Sequence, residues 1–459
     1  MPSPSTISRR GAIGVLAASG LGFLLVSRPG EDERAKGRKV LDYWEKWTGH
    51  EGAAMQRVVD AFNEQSSTLY VRYLITNTIH QKALVSILGG APPDIVGLYA
   101  YNVPTYAEAN AVLRLNDLAP RHGLRLEDYA PGMRPVMKHG DGWYAAVNTG
   151  GTLALYWNRA IFRECADALR AMGLSPDRAP ATIRELDLAH EAVTRTTGGK
   201  VGSAPLTRAG FLHMEPGWWS WIWGSMFGGT LYDAAADRAL AGSPEVVSAY
   251  EWVQSYPRAL GLGHVEKFRS GFGPYGTPQS AFLTGEVAMV VQGPWMANLI
   301  KAFAPDLDYG VAPLPIVDDF LDPDAPLTCI DTDVLMIPRG VKDPEASMEF
   351  IAFTQRRENV ESLALAHCKG SPLVSVSDDF YAKHTNRGVA LHTAMASSAK
   401  AFRAPATPVW TEYKDKFDTA MQDMWKLVEP ASVRLPVVQA QAQALLDEAR
   451  SRKLRRGER

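Results

Sequence analysis

Cysteine is nearly absent from this chain. Cys165, Cys329 and Cys368 stand far apart in 459 residues. No CxxC and no Cys/His ligand spacing accompanies them, which argues against a zinc site and a disulfide framework. Only Cys329 and Cys368 remain open as a pair, should the fold bring them together. Net charge is lacking too, with a formal sum of −2. That gives no reason to expect nucleic acid or an acidic membrane surface as partner. The basic cluster at 450–459 reads as a solvated tail. Catalytic and cofactor loops are also missing. Thr196-Thr197-Gly198-Gly199-Lys200 lacks the first glycine of a phosphate loop, and Val201 follows the lysine. His190-Glu191 does not extend to HExxH, because position 194 is threonine. The acidic loop 317–326 lacks the spacing of an EF-hand. No cofactor and no metal are expected, and no internal repeat is visible.

What is present begins with a targeting segment. Ser8-Arg9-Arg10 precedes a mostly apolar run at 11–26. This is the layout of an export signal, and the paired arginines suggest the twin-arginine route. No A-x-A site follows, and no cysteine marks a lipoprotein. The run is short for a membrane span, so cleavage and retention as an N-terminal anchor both stay open. The expected location is the periplasm or the outer face of the cytoplasmic membrane. Residues 1–39 are set aside as signal and linker. The chain is 46% hydrophobic and 21% charged, a soluble globular composition. Its length exceeds one ordinary domain, so two are expected.

Strand-like 40–44, 69–75 and 94–98 alternate with helical segments. The first helix carries Met55, Val58, Val59 and Phe62 at spacings of three and four. This alternation predicts a parallel α/β sheet. In such sheets ligands bind outside the carboxyl ends of strands. Trp44, Glu45 and Trp47 end the first strand, and Tyr99, Tyr101 and Asn102 end the third. Later, a short helix is expected at 279–284 and an apolar strand at 287–291. Gly293-Pro294 stops that strand and leaves Trp295 at its end, either as a ligand platform or as a cap on the core. Trp218, Trp219, Trp221 and Trp223 crowd six positions, and one helix cannot turn them all inward. Trp218 or Trp219 is expected in a cleft and Trp223 in the core. The small residues at 148–152 read as a hinge or a plain loop. Asn158, Thr182 and Ser243 are expected helix caps, and two helices are expected at 410–425 and 436–449.

Several motifs go further. Gly89-Gly90-Ala91-Pro92-Pro93-Asp94-Ile95 is followed by Tyr106-Ala107-Glu108-Ala109. Leu155-Tyr156-Trp157-Asn158-Arg159 makes a strand-to-helix step, and Pro180-Ala181-Thr182 with Glu185-Leu186 starts a helix. Ala281-Phe282, Gly285, Ala288-Met289, Gly293 and Trp295 form the most specific set, and Met336-Ile337-Pro338-Arg339-Gly340 closes the series. Together these resemble the extracellular solute-binding proteins of ABC importers, in the large carbohydrate-binding family that includes maltose-binding proteins. The resemblance implies an α/β, two-lobed periplasmic-binding-protein fold, each lobe a mostly parallel sheet flanked by helices. The lobes would be 40–150 plus 328–362 and 151–327 plus 363–459.

The resemblance further implies a sugar, a polyol or a small oligosaccharide bound between lobes that close about a hinge. It implies delivery to membrane permease subunits, and neither nucleic acid nor chemistry. A monomer is expected. Position by position it points to Trp44, Glu45, Trp47, Tyr99, Tyr101, Asn102, Trp218, Trp219 and Trp295 as ligand contacts. Asp331-Thr332 stands where the family usually has a glycine pair, which suggests direct hydrogen bonding by Asp331 or Asp333. Asn148, Ser371 and Trp410 are further candidates. Two alternatives stand beside this reading. One is an exported sensor or scaffold without a transporter. The other is an exported glycosidase, which would need two carboxylates drawn from Glu45, Asp331 and Asp333.

Overall fold

The computed structural model describes residues 31–76 and 78–455. The apolar run of the expected export signal lies outside the described residues. Two five-stranded sheets organise the chain. The first runs in the order Leu69–Ile75, Lys39–Glu45, Ile95–Tyr99, Asp333–Met336, Ala146–Thr149. The second runs in the order Tyr309–Ala312, Ala154–Asn158, Val287–Gln292, Leu206–Phe211, Arg195–Thr196. Each sheet has its own core. Leu41, Met55, Val59, Phe62, Leu335 and Phe350 pack in the first, and Leu155, Leu186, Phe211, Tyr250, Met289 and Phe417 in the second.

Neither sheet is purely parallel, although four of the five strands of the first share one direction. Lys39–Glu45 lies parallel to both of its neighbours, but Asp333–Met336 is antiparallel to Ile95–Tyr99 and to Ala146–Thr149. Ala154–Asn158 is likewise antiparallel to both of its partners. The reason is the connectivity. Strands entered within a lobe run towards the junction, with the two-residue edge strand Arg195–Thr196 as the exception. Ala154–Asn158 and Asp333–Met336 are entered from the other lobe, so they start at the junction and run away from it.

Local chemistry sets many boundaries. Asn158 Oδ1 accepts the Ile161 N–H at 3.0 Å and opens helix Arg159–Glu164. Thr182 Oγ1 accepts the Glu185 N–H at 3.2 Å at the start of Ile183–Val193. Ser243 stands at the start of Pro244–Leu260, but its hydroxyl makes no capping bond. Val287–Gln292 is a fully buried strand, preceded by Gly285 at φ 78°. The helix expected at 279–284 is a series of turns. Six residues between a proline and a glycine are too few to propagate a helix without strong packing. The last two helices are Trp410–Trp425 and Ala431–Arg455.

The lobes are joined by crossing segments that pair with one another. The Gly150 N–H donates to Gly370 O at 3.1 Å, the Asp331 N–H to Gly151 O at 3.1 Å and the Leu153 N–H to Cys329 O at 2.9 Å. A Cβ at Gly151 would overlap the Asp331 carbonyl oxygen, so the close approach requires glycine. The later crossing falls beyond the expected 362. Helix Arg357–His367 stays on the first core through Leu363 and ends at Cys368, whose φ is 56°. The three cysteines are free and buried, so Cys329 and Cys368 do not pair. Cys368 Sγ instead donates to Asn298 Oδ1 at 3.1 Å.

Candidate functional site

A cavity of about 630 Å³ opens between the lobes. The first lobe contributes Trp47, Tyr99 and Tyr101, and the second contributes Trp218, Trp219, Tyr275 and Trp295. The crossing segments supply Asp331, Thr332, Asp333 and Lys369. Carboxyl ends of strands thus meet the junction, and their loops turn aromatic side chains into it.

The rings form an angled wall. Trp219 and Trp295 lie 5.9 Å apart at 34°. Trp218 meets Tyr275 edge-on at 4.2 Å, and Tyr99 stacks on Tyr101 at 5.4 Å. Trp218 is 45% exposed, so its ring is open to a ligand.

Eight of the sequence candidates line this cavity: Trp47, Tyr99, Tyr101, Trp218, Trp219, Trp295, Asp331 and Asp333. Six do not. Trp44 is buried in the first core. Glu45 is sealed beneath the cleft, where it accepts from Tyr43 Oη at 2.6 Å and from the Lys46 N–H at 2.7 Å. Asn102 is buried and donates to Tyr99 O at 3.1 Å. Asn148 faces Gln355 at 3.3 Å. Ser371 lines a separate cavity of about 210 Å³ beside the crossing glycines. Trp410 is fully buried in the second core, edge-on to Trp221 at 5.2 Å. Its helix turns it inward with Tyr413 and Phe417, the expected behaviour of an apolar helical stripe.

The floor of the cavity carries a charge network. Asp333 Oδ1 lies 2.9 Å from Lys46 Nζ, and Oδ2 lies 2.9 Å from Lys369 Nζ. Lys46 also reaches Glu45 at 3.2 Å, and Lys369 reaches Glu51 at 3.5 Å. Burial alone would raise the Asp333 pKa, but the Lys369 and Lys46 charges outweigh it and hold the carboxyl well below the usual range. Burial opposes charge on Lys369, yet Asp333 and Glu51 keep its pKa raised. Asp331 is different. Burial and the charge of Asp333 lift its pKa to about 6, against a hydrogen bond from Trp219 Nε1 at 3.1 Å. Burial drops His367 to about 4, so it is neutral at pH 7.

Sequence reasoning missed Lys46, Glu51, Tyr275 and Lys369. Lys46 sits between two candidates, and Lys369 two positions before a third. Single charged residues in loops read as solvated, so their spacing carried no signal. Among the described residues, no group of three or more His, Cys, Asp or Glu side chains is placed to hold a metal ion.

Comparison with known proteins agrees with this architecture. A relative among curated proteins is the maltotriose-binding protein of Pyrococcus abyssi (strain GE5 / Orsay), 21% identical over 337 residues. That match covers 73% of this chain and 66% of the relative's length, a little under two thirds. Among solved structures, mannobiose-bound CpMnBP1 superposes with a TM-score of 0.74 at 22% identity, covering 88% of this chain and 99% of that one. The maltose/maltodextrin-binding domain MalE of Bdellovibrio bacteriovorus, bound to maltotriose, gives a TM-score of 0.68 at 15% identity, covering 89% and 99%. These likenesses establish the two-lobed fold. The family model for bacterial extracellular solute-binding proteins matches residues 57–387. The chain belongs to that family.

Proposed function

We propose that this protein is the exported substrate-binding component of an ABC importer, which captures a sugar between its lobes and delivers it to membrane permease subunits. The observation that carries this reading is the cavity between the lobes, walled by aromatic side chains over a charged floor. Ring faces suit the C–H faces of sugars, and the polar groups of the floor suit their hydroxyls. A ligand that touches both lobes has more contacts in the closed form, so its differential affinity favours closure. Trp47, Tyr99, Tyr101, Trp218, Trp219, Trp295, Asp331 and Asp333 are the proposed contacts. The protein acts as a monomer, in the periplasm or at the outer face of the cytoplasmic membrane.

Binding without turnover fits the floor better than glycoside hydrolysis. Glu45 lies beneath the cleft, and Asp333 is held between two lysines. Neither is free to protonate a leaving group. Thermal-shift and calorimetric titration against a panel of sugars, polyols and small oligosaccharides tests the reading. A saturable rise in Tm without product is expected. Loss of a titrated glycoside to products would replace it with the hydrolase, and failure of every sugar would overturn it. Stimulation of the cognate permease ATPase by the loaded protein separates importer from sensor.

A further inference from the structure

The charges under the aromatic cavity do not cancel. Lys46 and Lys369 bring two ammonium groups, against the four carboxylates of Glu45, Glu51, Asp331 and Asp333. The formal excess is two negative charges. Asp333 engages both lysines, Lys46 also holds Glu45, and Lys369 also holds Glu51. Asp331 is left over. Its one side-chain partner among the described residues is the indole of Trp219. Among those residues no lysine or arginine forms an ion pair with it. Lys414, on the cavity rim, is paired with Asp418 at 2.5 Å. Arg403 lines a neighbouring cavity with Asp331 but forms no ion pair with it among the described residues.

The rings show what suits this place. Lys46 Nζ lies 4.7 Å from the centre of Tyr99 and 5.0 Å from that of Trp47. Lys369 Nζ lies 5.6 Å from Trp47 and 5.5 Å from Trp295. The cavity thus already seats two ammonium groups on aromatic faces. Tyr101, Trp218, Trp219 and Tyr275 surround the same space and carry no such cation among the described residues. A carboxylate without an ion-pair partner beside unoccupied ring faces is the chemistry that recognises a third ammonium.

From this geometry we infer that the ligand is an amino sugar, whose ammonium group pairs with Asp331 against the ring of Trp219, which carries no cation among the described residues. The inference rests on the proposed sugar-binding function and narrows it. A neutral sugar would offer Asp331 hydroxyl hydrogen bonds but leave the excess charge in place. A uronic acid would add to it. Burial of a carboxylate without a counter-charge is costly, and an entering cation relieves that cost.

The test is calorimetric titration of the full chain at pH 7 and low ionic strength. Matched sets are used, as monosaccharides and β-1,4 disaccharides: glucosamine, glucose, N-acetylglucosamine and glucuronate, with the galactose and mannose counterparts. In whichever scaffold binds best, the amino form is expected to bind at least tenfold tighter than the parent and the N-acetyl form. That ratio should shrink in 0.5 M salt, because charge pairing is screened. It should collapse towards one in Asp331→Asn. The salt arm needs no variant and stands if Asp331→Asn does not fold. If a neutral sugar binds as tightly as its amino counterpart, the inference falls and the sugar-binding function stands. If Asp331→Asn keeps the full ratio, Asp331 is not the recognising group and the inference falls. If no member of any set binds, both fall.

Discussion

Trp219 donates its indole N–H to Asp331 at 3.1 Å, joining a second-lobe ring to a carboxylate on a crossing segment. The two residues stand 112 positions apart in sequence. Trp219→Phe keeps a ring and removes the donor. Hydrogen bonds to charged groups contribute about 1.5–3 kcal/mol. The variant is therefore expected to lose about 1–2 kcal/mol of stability at pH 7, read from denaturant midpoints. Its loss should be smaller at pH 4.5, where Asp331 is largely protonated.

Trp295 and Trp218 separate binding from folding. Trp295 packs partly on the second core, whereas Trp218 is 45% exposed. Trp218→Ala should cost no more than about 1 kcal/mol of stability. Both alanine variants are expected to weaken sugar binding at least tenfold by calorimetry. Affinities within twofold of the parent would move the site elsewhere.

Asp331 gives stability a pH dependence of opposite sign to the usual carboxylate. Its pKa rises from an ordinary 3.8 in the unfolded chain to about 6 in the fold. Between those values the folded chain binds the proton more tightly, so this group's contribution to stability falls as pH rises. Roughly 2–3 kcal/mol should be lost from this group between pH 4 and pH 7, since a tenfold change in proton affinity is worth about 1.4 kcal/mol. Paired chemical denaturation of the parent and Asp331→Asn at both pH values isolates this contribution. The parent should show it and the variant should not.

Lys369 ties Asp333 to Glu51 inside the junction. Lys369→Met leaves both carboxylates short of a counter-charge. Breaking a buried pair from one side costs about 3–5 kcal/mol. Here Lys46 remains on Asp333, so about 2–4 kcal/mol is expected. The added double change Asp333→Asn should recover part of it, as a double-mutant cycle would record.

Gly151→Ala tests the crossing. The new methyl would overlap the Asp331 carbonyl oxygen and push the paired segments apart. Destabilisation of about 1–3 kcal/mol is expected. The radius of gyration by X-ray scattering should also shift in the unliganded protein. An unchanged Tm and scattering profile would show that the crossing tolerates separation.

The wall of the cavity was legible, but of its floor only Asp331 and Asp333 were. Trp295, Trp47 and Tyr99 stand at or just beyond strand ends, and apolar runs bounded by glycine and proline disclose strand ends from sequence alone. Trp410 shows where that logic stops. An aromatic residue at a helix start has no visible side, and only the packing of Tyr413 and Phe417 turns it inward. Lys46, Glu51 and Lys369 were illegible for another reason. Each is an ordinary loop or helix charge until segments distant in sequence bring them together around Asp333. The reversed direction of Ala154–Asn158 and Asp333–Met336 was not legible, because it depends on which lobe the chain comes from, and local pattern does not record that.

The placement of Asp333–Met336 has a consequence for biogenesis. This strand fills the gap between Ile95–Tyr99 and Ala146–Thr149, and Asp333 meets Thr149 across 184 positions of sequence. While the chain is being made, the first-lobe sheet lacks the interior strand that joins Ile95–Tyr99 to Ala146–Thr149. The flanking strands present unpaired backbone for as long as the whole second-lobe sheet takes to emerge. The first-lobe sheet therefore cannot be completed until the chain has passed through the second lobe and come back.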